Sequence, residues 1–239
     1  MNTDKLSKRL ETVAKYVPNR ARVADIGSDH AYLPCYLVKN SGIPFAIAGE
    51  VAAGPFHSAE KNVLSEGLTH QISVRMGDGL EVIGAGEVDC ITIAGMGGTL
   101  IASILEAGKE KLGSVNRLVL QPNIGVEAIR RWFIENGWEL IAEEILEEDG
   151  KIYEILAAEK GDPYKPYTEN LPRGLLMGPF LHQTKSAAFE KKWLSEIKNW
   201  QKIIQQLEGA AQTPETNEKK QELLIKIRLV EEALAHENS

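Results

Sequence analysis

The sequence predicts an α/β fold: a mostly parallel, doubly wound sheet in residues 1–160, followed by a linker and a C-terminal α-helical hairpin in residues 161–239. Three observations predict it. Short apolar runs alternate with amphipathic segments from Arg22 onward, the pattern of strands covered on both faces by helices. The apolar runs end on glycines, acids and amides, at the place where an open α/β sheet binds its ligands. After Gly161 the strand runs stop, and apolar residues recur at heptad spacing instead.

Composition sets the bounds. The chain has 239 residues, 43% of them hydrophobic, enough for one large core and a smaller appendage. No apolar run reaches the ~18 residues of a membrane-spanning helix. The polar start from Asn2 to Lys8 has no apolar signal-peptide core. Cys35 falls in a helix and Cys90 in a strand run. With no Cys/His cluster beside them, they read as buried thiols in a reducing cytosol and not as metal ligands. The expected setting is cytoplasmic, without membrane or metal, with a monomer as the default. The formal net charge is −7, but it is unevenly spread. Lys5, Lys8, Arg9, Lys15, Arg20 and Arg22 face only Asp4 and Glu11 near the N-terminus, whereas Glu139–Asp149 is acidic.

Taken in order, Leu6, Leu10, Val13 and Val17 recur at helical spacing, with Lys5, Lys8, Arg9 and Lys15 off that stripe. This is an amphipathic helix packed on the sheet. Its basic face is either solvated surface or an RNA contact. Arg22–Ile26 is the first strand, and the next helix runs from about His30 to Lys39. Gly27-Ser28-Asp29 lies between them. A glycine at a strand-to-helix turn lets a ligand approach the backbone, and the helix N-terminus behind it favours polar or anionic groups. The Gly-x-Gly-x-x-Gly dinucleotide fingerprint fails, because Asp29 and Tyr32 stand after Gly27 where further glycines belong. Asp25, an acid just before the glycine, suits a cofactor with a cationic amino-acid end better than a pyrophosphate. That points to S-adenosylmethionine; the bland alternative is a tight turn with no ligand.

Phe45–Glu50 is the second strand, and Glu50 at its end is the expected ribose ligand. A helix follows from about Pro55 to Ser65, stopped by Gly67. Ile72–Arg75 is the third strand and leads to Met76-Gly77-Asp78-Gly79. There Asp78 can accept from an adenine 6-amino group, between two glycines that permit the turn. Val88–Ala94 is the fourth strand. Its end, Gly95-Met96-Gly97-Gly98, opens space for a flat substrate or a methyl donor, and a helix from Thr99 to about Lys111 follows. Arg117–Leu120 is the fifth strand, ending in Gln121-Pro122-Asn123, two amides and a rigid proline able to grip a base edge. Val126–Asn136 is helical with Gly137 as its C-cap, and Trp138–Ile145 and Lys151–Ala158 close the sheet as a hairpin. Gly27, Asp29, Glu50, Asp78, Gly95 and Asn123 therefore share one end of the sheet.

Asp162–Tyr167 is a proline-marked linker, and Leu171–His182 packs back on the first unit. Phe189, Trp193, Ile197, Trp200, Ile204 and Leu207 form one apolar seam, and Leu223, Ile227, Val230 and Leu234 a second. The two helices are either a structural or dimerising appendage, or a substrate clamp presenting Lys191, Lys192, Lys198 and Lys202.

Several strings resemble the bacterial tRNA (adenine(22)-N1)-methyltransferase family. They are Leu6-x-x-Arg9-Leu10, Asp25-Ile26-Gly27-Ser28-Asp29-His30-Ala31-Tyr32-Leu33-Pro34, Ala94-Gly95-Met96-Gly97-Gly98, Gln121-Pro122-Asn123 and Leu176-Met177-Gly178-Pro179. The resemblance covers essentially the whole chain. It implies a Rossmann-like class I methyltransferase domain, a C-terminal coiled coil, S-adenosylmethionine as donor, and N1 of adenine 22 in the tRNA D-arm as acceptor. The position within tRNA rests on the resemblance alone.

Adenine N1 carries an in-plane lone pair and attacks a sulfonium methyl without prior deprotonation. The catalytic work is placement and support of the positive charge left on the base. Asp29 is the expected catalytic acid, with Asn123 and Gln121 on the base edge. Asp25, Gly27, Ser28, His30, Glu50, Asp78, Gly79, Gly95 and Met96 are the expected donor ligands. Lys5, Lys8, Arg9, Lys15, Tyr32, Lys191 and Lys192 are the expected tRNA contacts. Three other readings stand beside this one. A nicotinamide-dependent oxidoreductase is disfavoured by the missing glycines. A small-molecule methyltransferase needs neither the basic N-terminus nor the hairpin. A non-catalytic RNA-binding scaffold would bind no donor.

Overall fold

The computed structural model describes residues 3–209 and 213–235. Asn2, where the polar N-terminal run begins, and residues 236–239 of the predicted C-terminal unit lie outside them. Seven strands form one sheet: β1 (Arg22–Ile26), β2 (Phe45–Glu50), β3 (Ile72–Met76), β4 (Cys90–Gly97), β5 (Arg117–Ile124), β6 (Trp138–Glu148) and β7 (Lys151–Lys160). Their order is β3-β2-β1-β4-β5-β7-β6. The first five are parallel to one another, and β7 runs antiparallel to both β5 and β6. The helices are α1 (Lys8–Tyr16), α2 (Tyr32–Asn40), α3 (Ala53–Ser65), α4 (Gly98–Ala107), α5 (Val126–Glu135), α6 (Leu171–Met177), α7 (Leu181–Thr184), α8 (Ala187–Glu208) and α9 (Pro214–Ala235).

The period-2 alternation of strand side chains divides the interior into two layers. Ala24, Ile26, Ile47, Ile91, Ile93, Leu118 and Leu120 pack on one face with Ile101, Leu105, Ile129 and Phe133. Val23, Ala46, Ala48, Cys90 and Val119 pack on the other with Leu10, Val13, Leu33, Leu37 and Val63. All four residues of the predicted N-terminal stripe are buried. A third cluster joins α8 to α9 through Phe189, Trp193, Ile197, Ile204, Leu223, Ile227 and Val230, with Ile145 of β6 against it.

Element boundaries differ from the sequence reading where local backbone chemistry intervenes. The fourth and fifth strands run on to Gly97 and Ile124. Gly95, at φ +82°, absorbs a register shift between Ala94 and Met96 that keeps the glycine-rich segment paired with β5. The second helix starts at Tyr32 instead of His30, because Asp29, His30 and Ala31 are all left-handed. The third begins two residues before Pro55, a position in the first turn where a missing N–H costs nothing.

One polar cluster crosses the boundary between the sheet and the C-terminal helices. Arg130 of α5 is fully buried. Its Nε lies 2.7 Å from Glu143 Oε1 and its Nη2 2.7 Å from Glu154 Oε2. Its Nη1 donates to the carbonyls of Leu175 (3.2 Å) and Leu176 (3.3 Å) in α6. Lys192 of α8 completes the group by pairing with Glu154. Removing the guanidinium leaves the buried Glu143 without a cationic partner and Glu154 with Lys192 alone. Arg130→Ala should therefore lose about 3–5 kcal/mol, the cost of breaking a buried pair from one side, as measured by denaturant unfolding.

Candidate active site

Strand order sets the polar ends side by side. Reading across the carboxyl edge of the sheet gives Asp78 after β3, Glu50 on β2, Gly27 after β1, Gly95 on β4 and Asn123 on β5. With strands ~4.8 Å apart, the line from Asp78 to Gly95 spans roughly 14 Å. An elongated nucleoside with an amino-acid tail fits such a line, its base at one end and its amino acid at the other.

The turn after β1 is held in an unusual conformation. Gly27 has φ +68°, and Asp29, His30 and Ala31 have φ of +40°, +67° and +55°. A left-handed non-glycine residue costs roughly 1–2 kcal/mol, so three in succession need firm support. Gly27 N and Ser28 N donate to Gly49 O at 2.9 and 3.1 Å, and Glu50 accepts from Asp29 N–H. Asn62 Nδ2 donates to His30 O at 2.8 Å. The result is an exposed Asp29 carboxylate, its side chain 74% accessible, 3.4 Å from His30 Nε2. A side chain at Gly27 would be strained at φ +68° and would displace the Met96 methyl that covers the turn, 2.2 Å from where its Cβ would lie.

A cleft of about 320 Å³ opens at this turn, at the small end of ligand pockets. Asp25, Gly27, Ser28, Asp29, Gly95, Met96 and Asn123 line it, as the sequence reading placed them. Asp25 is 4% exposed and accepts from Ser28 Oγ and Thr92 Oγ1, each at 2.6 Å. Burial pushes its carboxyl above the usual carboxylate range, against the pull of those two hydroxyls and of Arg9. An ammonium group arriving in the cleft would supply the countercharge that Asp25 lacks in direct contact. The amino-acid end of S-adenosylmethionine fits that need. Glu50, 6% exposed, is also raised by burial, and its hydrogen bond from Asp29 N–H opposes this. Asp78 and Gly79 lie apart from these residues, in a second cleft of about 530 Å³ with Leu100, Ile104 and Lys111. Glu50 stands between the two. His30 and Tyr32 stack on each other with ring centroids 5.4 Å apart, outside the linings of both clefts.

Several expectations change. Gln121, expected on the base edge, is fully buried. Its Oε1 accepts from Arg9 Nη1 and from Gly95 N (3.1 Å), and its Nε2 donates to Pro122 O (2.8 Å). Asn123 Nδ2 donates to Gly95 O at 2.8 Å. The two amides thus hold the peptide groups before and after Gly95, and of the two only Asn123 is exposed in the cleft. Arg9, expected on an outer RNA-facing surface, turns inward. Its guanidinium reaches Gln121 and lies 5.5 Å from the Tyr153 ring centroid. Glu148 draws the start of α1 into this place by accepting from Lys8 N (2.7 Å) and Arg9 N (3.2 Å). Lys15 pairs with Glu144 at 2.7 Å, Lys191 with Glu147 at 2.5 Å, and Lys192 with the buried Glu154. Glu144 and Glu147 of the acidic stretch thus neutralise two of the expected basic contacts, and Glu154, beyond that stretch, a third. Lys5 and Lys8 are exposed, as are Lys198 and Lys202 on α8.

Tyr153 lines the cleft and was not anticipated. The signal was the antiparallel last strand: reversing β7 brings its first residues to the carboxyl ends of β4 and β5. A third and larger cleft, about 600 Å³, lies between the β5 end, the start of β7 and α8, and shares Asn123 with the donor cleft.

The sheet, the glycine turn and the buried acid below it define a Rossmann-like methyltransferase that uses S-adenosylmethionine. A family model described as tRNA (adenine(22)-N(1))-methyltransferase matches residues 23–232, and the chain belongs to that family. A Bacillus subtilis (strain 168) tRNA (adenine(22)-N(1))-methyltransferase is 55% identical over 237 residues, covering 99% of this chain and 100% of its own. The crystal structure of the B. subtilis m1A22 tRNA methyltransferase is 54% identical and superposes with a TM-score of 0.92 over 97% of this chain and 99% of that one. A Streptococcus pneumoniae protein solved in complex with S-adenosyl-L-methionine is 44% identical, with a TM-score of 0.79 over 96% and 100% of the two chains.

The raised Asp25 gives a signed prediction. Its folded-state titration lies above the unfolded value, so its ionised form costs stability at neutral pH. Asp25→Asn should raise the unfolding midpoint at pH 7, and the gain should vanish as pH falls below the ordinary carboxylate value of ~3.9. The same variant should bind S-adenosylmethionine about 1.5–3 kcal/mol more weakly by calorimetry, the range for a hydrogen bond to a charged group. Unchanged donor affinity would remove Asp25 from the site.

Proposed function

We propose that this protein transfers the methyl group of S-adenosylmethionine to N1 of adenine 22 in tRNA. Family membership supports the reaction, and one observation carries the site: the exposed Asp29 and Asn123 face a single cleft above the buried Asp25. When bound, the donor supplies an electrophilic methyl on a sulfonium. Asp25 holds the donor's ammonium, Glu50 its ribose hydroxyls and Asp78 its adenine amine. Asn123 donates one amide N–H to Gly95 O, and its Oδ1, which accepts from Gln121 Nε2 at 3.4 Å, keeps a second lone pair to accept from the 6-amino group of the target base. Asp29 stabilises the positive charge that forms on the base. Gln121 and Arg9 keep Gly95 and Asn123 in place.

Residues 1–160 are proposed to carry the chemistry, and 161–239 to contact tRNA. Arg130 and Lys192 cross that boundary, so the C-terminal helices also complete the fold of the first unit. Phosphate contacts fall to the exposed Lys8, Lys198 and Lys202. The protein is proposed to work in the cytoplasm as a metal-free monomer. No described helix is long and apolar enough to cross a membrane, and no cluster of metal-ligating side chains occurs among the described residues. A structural role for α8 and α9 remains the second reading, favoured by the burial of their seam.

Labelled donor incubated with tRNA, followed by nucleoside analysis, should yield 1-methyladenosine, and changing adenine 22 to guanine should abolish it. Label found only in small molecules would sink the tRNA reading. Asp29→Asn keeps a residue that tolerates the left-handed turn and removes the charge. It should lower kcat roughly 10²–10³-fold, the usual effect of losing one electrostatic stabiliser, while donor and tRNA affinity stay near wild type. Turnover near wild type would reduce Asp29 to a turn residue.

A further inference from the structure

Thr92 interrupts an apolar run of β4, between Ile91 and Ile93, and it is fully buried. A hydroxyl taken from water into an apolar layer is costly unless it is hydrogen-bonded. The strand register supplies its partner: Thr92 stands directly beside Asp25 on the parallel neighbour β1. Its Oγ1 lies 2.6 Å from Asp25 Oδ1 and 3.5 Å from Ala24 O, so its one proton goes to the carboxyl group. Ser28 Oγ donates to the other carboxyl oxygen, also at 2.6 Å. These are the short distances of hydroxyls bonded to an ionised acceptor.

The two hydroxyls differ in their surroundings. Ser28 belongs to the turn and lines the donor cleft, whereas Thr92 lines none of the three clefts. Thr92 can reach a ligand only through Asp25. Strand formation and packing do not call for a hydroxyl here, because valine has nearly the same shape and the same branching at Cβ. What valine lacks is the proton donor. Held by Thr92 at Oδ1 and by Ser28 at Oδ2, the carboxyl group cannot turn without breaking one of the two bonds. The ionisable groups around it are Arg9 of α1, Asp29 of the turn and Tyr153 of β7 in the same cleft, Glu50 of β2 and Cys90 of β4. Arg9 is the cation among them, and its guanidinium is bonded to Gln121.

We propose that Thr92 is a positioning residue for donor binding: its hydroxyl fixes the Asp25 carboxylate in the orientation that receives the ammonium of S-adenosylmethionine. This rests on the reading of Asp25 as the partner of that ammonium. Hydrogen bonds from the two hydroxyls favour the ionised carboxyl, against the burial that disfavours it. The donor then meets an anion that is already aimed. Thr92 acts on donor affinity and leaves the methyl transfer itself alone.

The test is calorimetry on the full chain with two probes: S-adenosylhomocysteine, which keeps the amino group, and its deaminated analogue, which lacks it. Thr92→Val should weaken S-adenosylhomocysteine binding roughly 10- to 100-fold, the factor for one hydrogen bond to a charged group. It should leave the deaminated analogue within about twofold of wild type, the limit for groups that do not interact. Thr92→Ser, which restores the hydroxyl, should recover most of the loss. Thr92→Ala gives a second variant without the hydroxyl, should valine disturb the fold. In an Asp25→Asn background, Thr92→Val should change S-adenosylhomocysteine affinity by less than about twofold. In turnover, KM for the donor should rise while kcat holds. Wild-type affinity should fall in acid as Asp25 takes up its proton, and in Thr92→Val that fall should begin at a higher pH. Equal losses on both probes, or no loss on either, would make Thr92 a packing residue and overturn the proposal. If the wild type itself binds the two probes equally, the placement of the ammonium at Asp25 falls instead.

Discussion

A guanidinium with no exposed surface, held between two glutamates, fixes how the two parts of the molecule meet. Arg130 gathers β6 through Glu143, β7 through Glu154 and α6 through two carbonyls, and Glu154 in turn holds Lys192 of α8. Buried ion pairs add little net stability compared with apolar packing, but breaking one from a single side is severe. Their value here is geometric. The wall that α8 contributes to the large cleft stands where this cluster puts it, and the opposite wall is the end of β5. The distance between the proposed RNA surface and the donor turn is thus set by charges that lie outside the turn itself.

The active-site backbone is equally constrained before anything binds. Three left-handed residues after Gly27 persist because Gly49, Glu50 and Asn62 each hold a peptide group of the turn. The peptide groups before and after Gly95 are held by Gln121 and Asn123. Fixed donors and acceptors need no reorganisation at the moment of reaction, which is where electrostatic catalysis gains most. The cost appears as strain at Asp29–Ala31 and as a buried, partly unsupported Asp25.

The sheet was legible because its signals are local. Strand runs between Arg22 and Leu120 are mostly apolar, and they end on glycines, acids or amides at one edge of the sheet. That Asp25, Gly27 and Asn123 meet at one cleft could be read from the strand ends alone. What the sequence hid depends on contacts far apart in the chain. Arg9 and Gln121 are 112 positions apart, and nothing in the spacing of either betrays their bond. The inward turn of Arg9 follows from Glu148 capping α1, a contact across 140 positions. Lys15 and Lys191, read as parts of a basic face, are paired by Glu144 and Glu147, acids that had been recognised only as a charged stretch. The helix start at Tyr32 was missed because no propensity scale favours three successive left-handed residues of these types.

The pairing of Lys15, Lys191, Lys192 and Lys226 with glutamates bears on how the enzyme finds its substrate. Loose adhesion to RNA of any sequence depends on unpaired cations that displace the counterions around phosphates. An acidic protein with much of its cationic side-chain charge already neutralised will dwell briefly on ribosomal or messenger RNA. Under the proposed function, such a protein would search a crowded polyanionic cell with little trapping, held by the shape of a folded tRNA more than by charge.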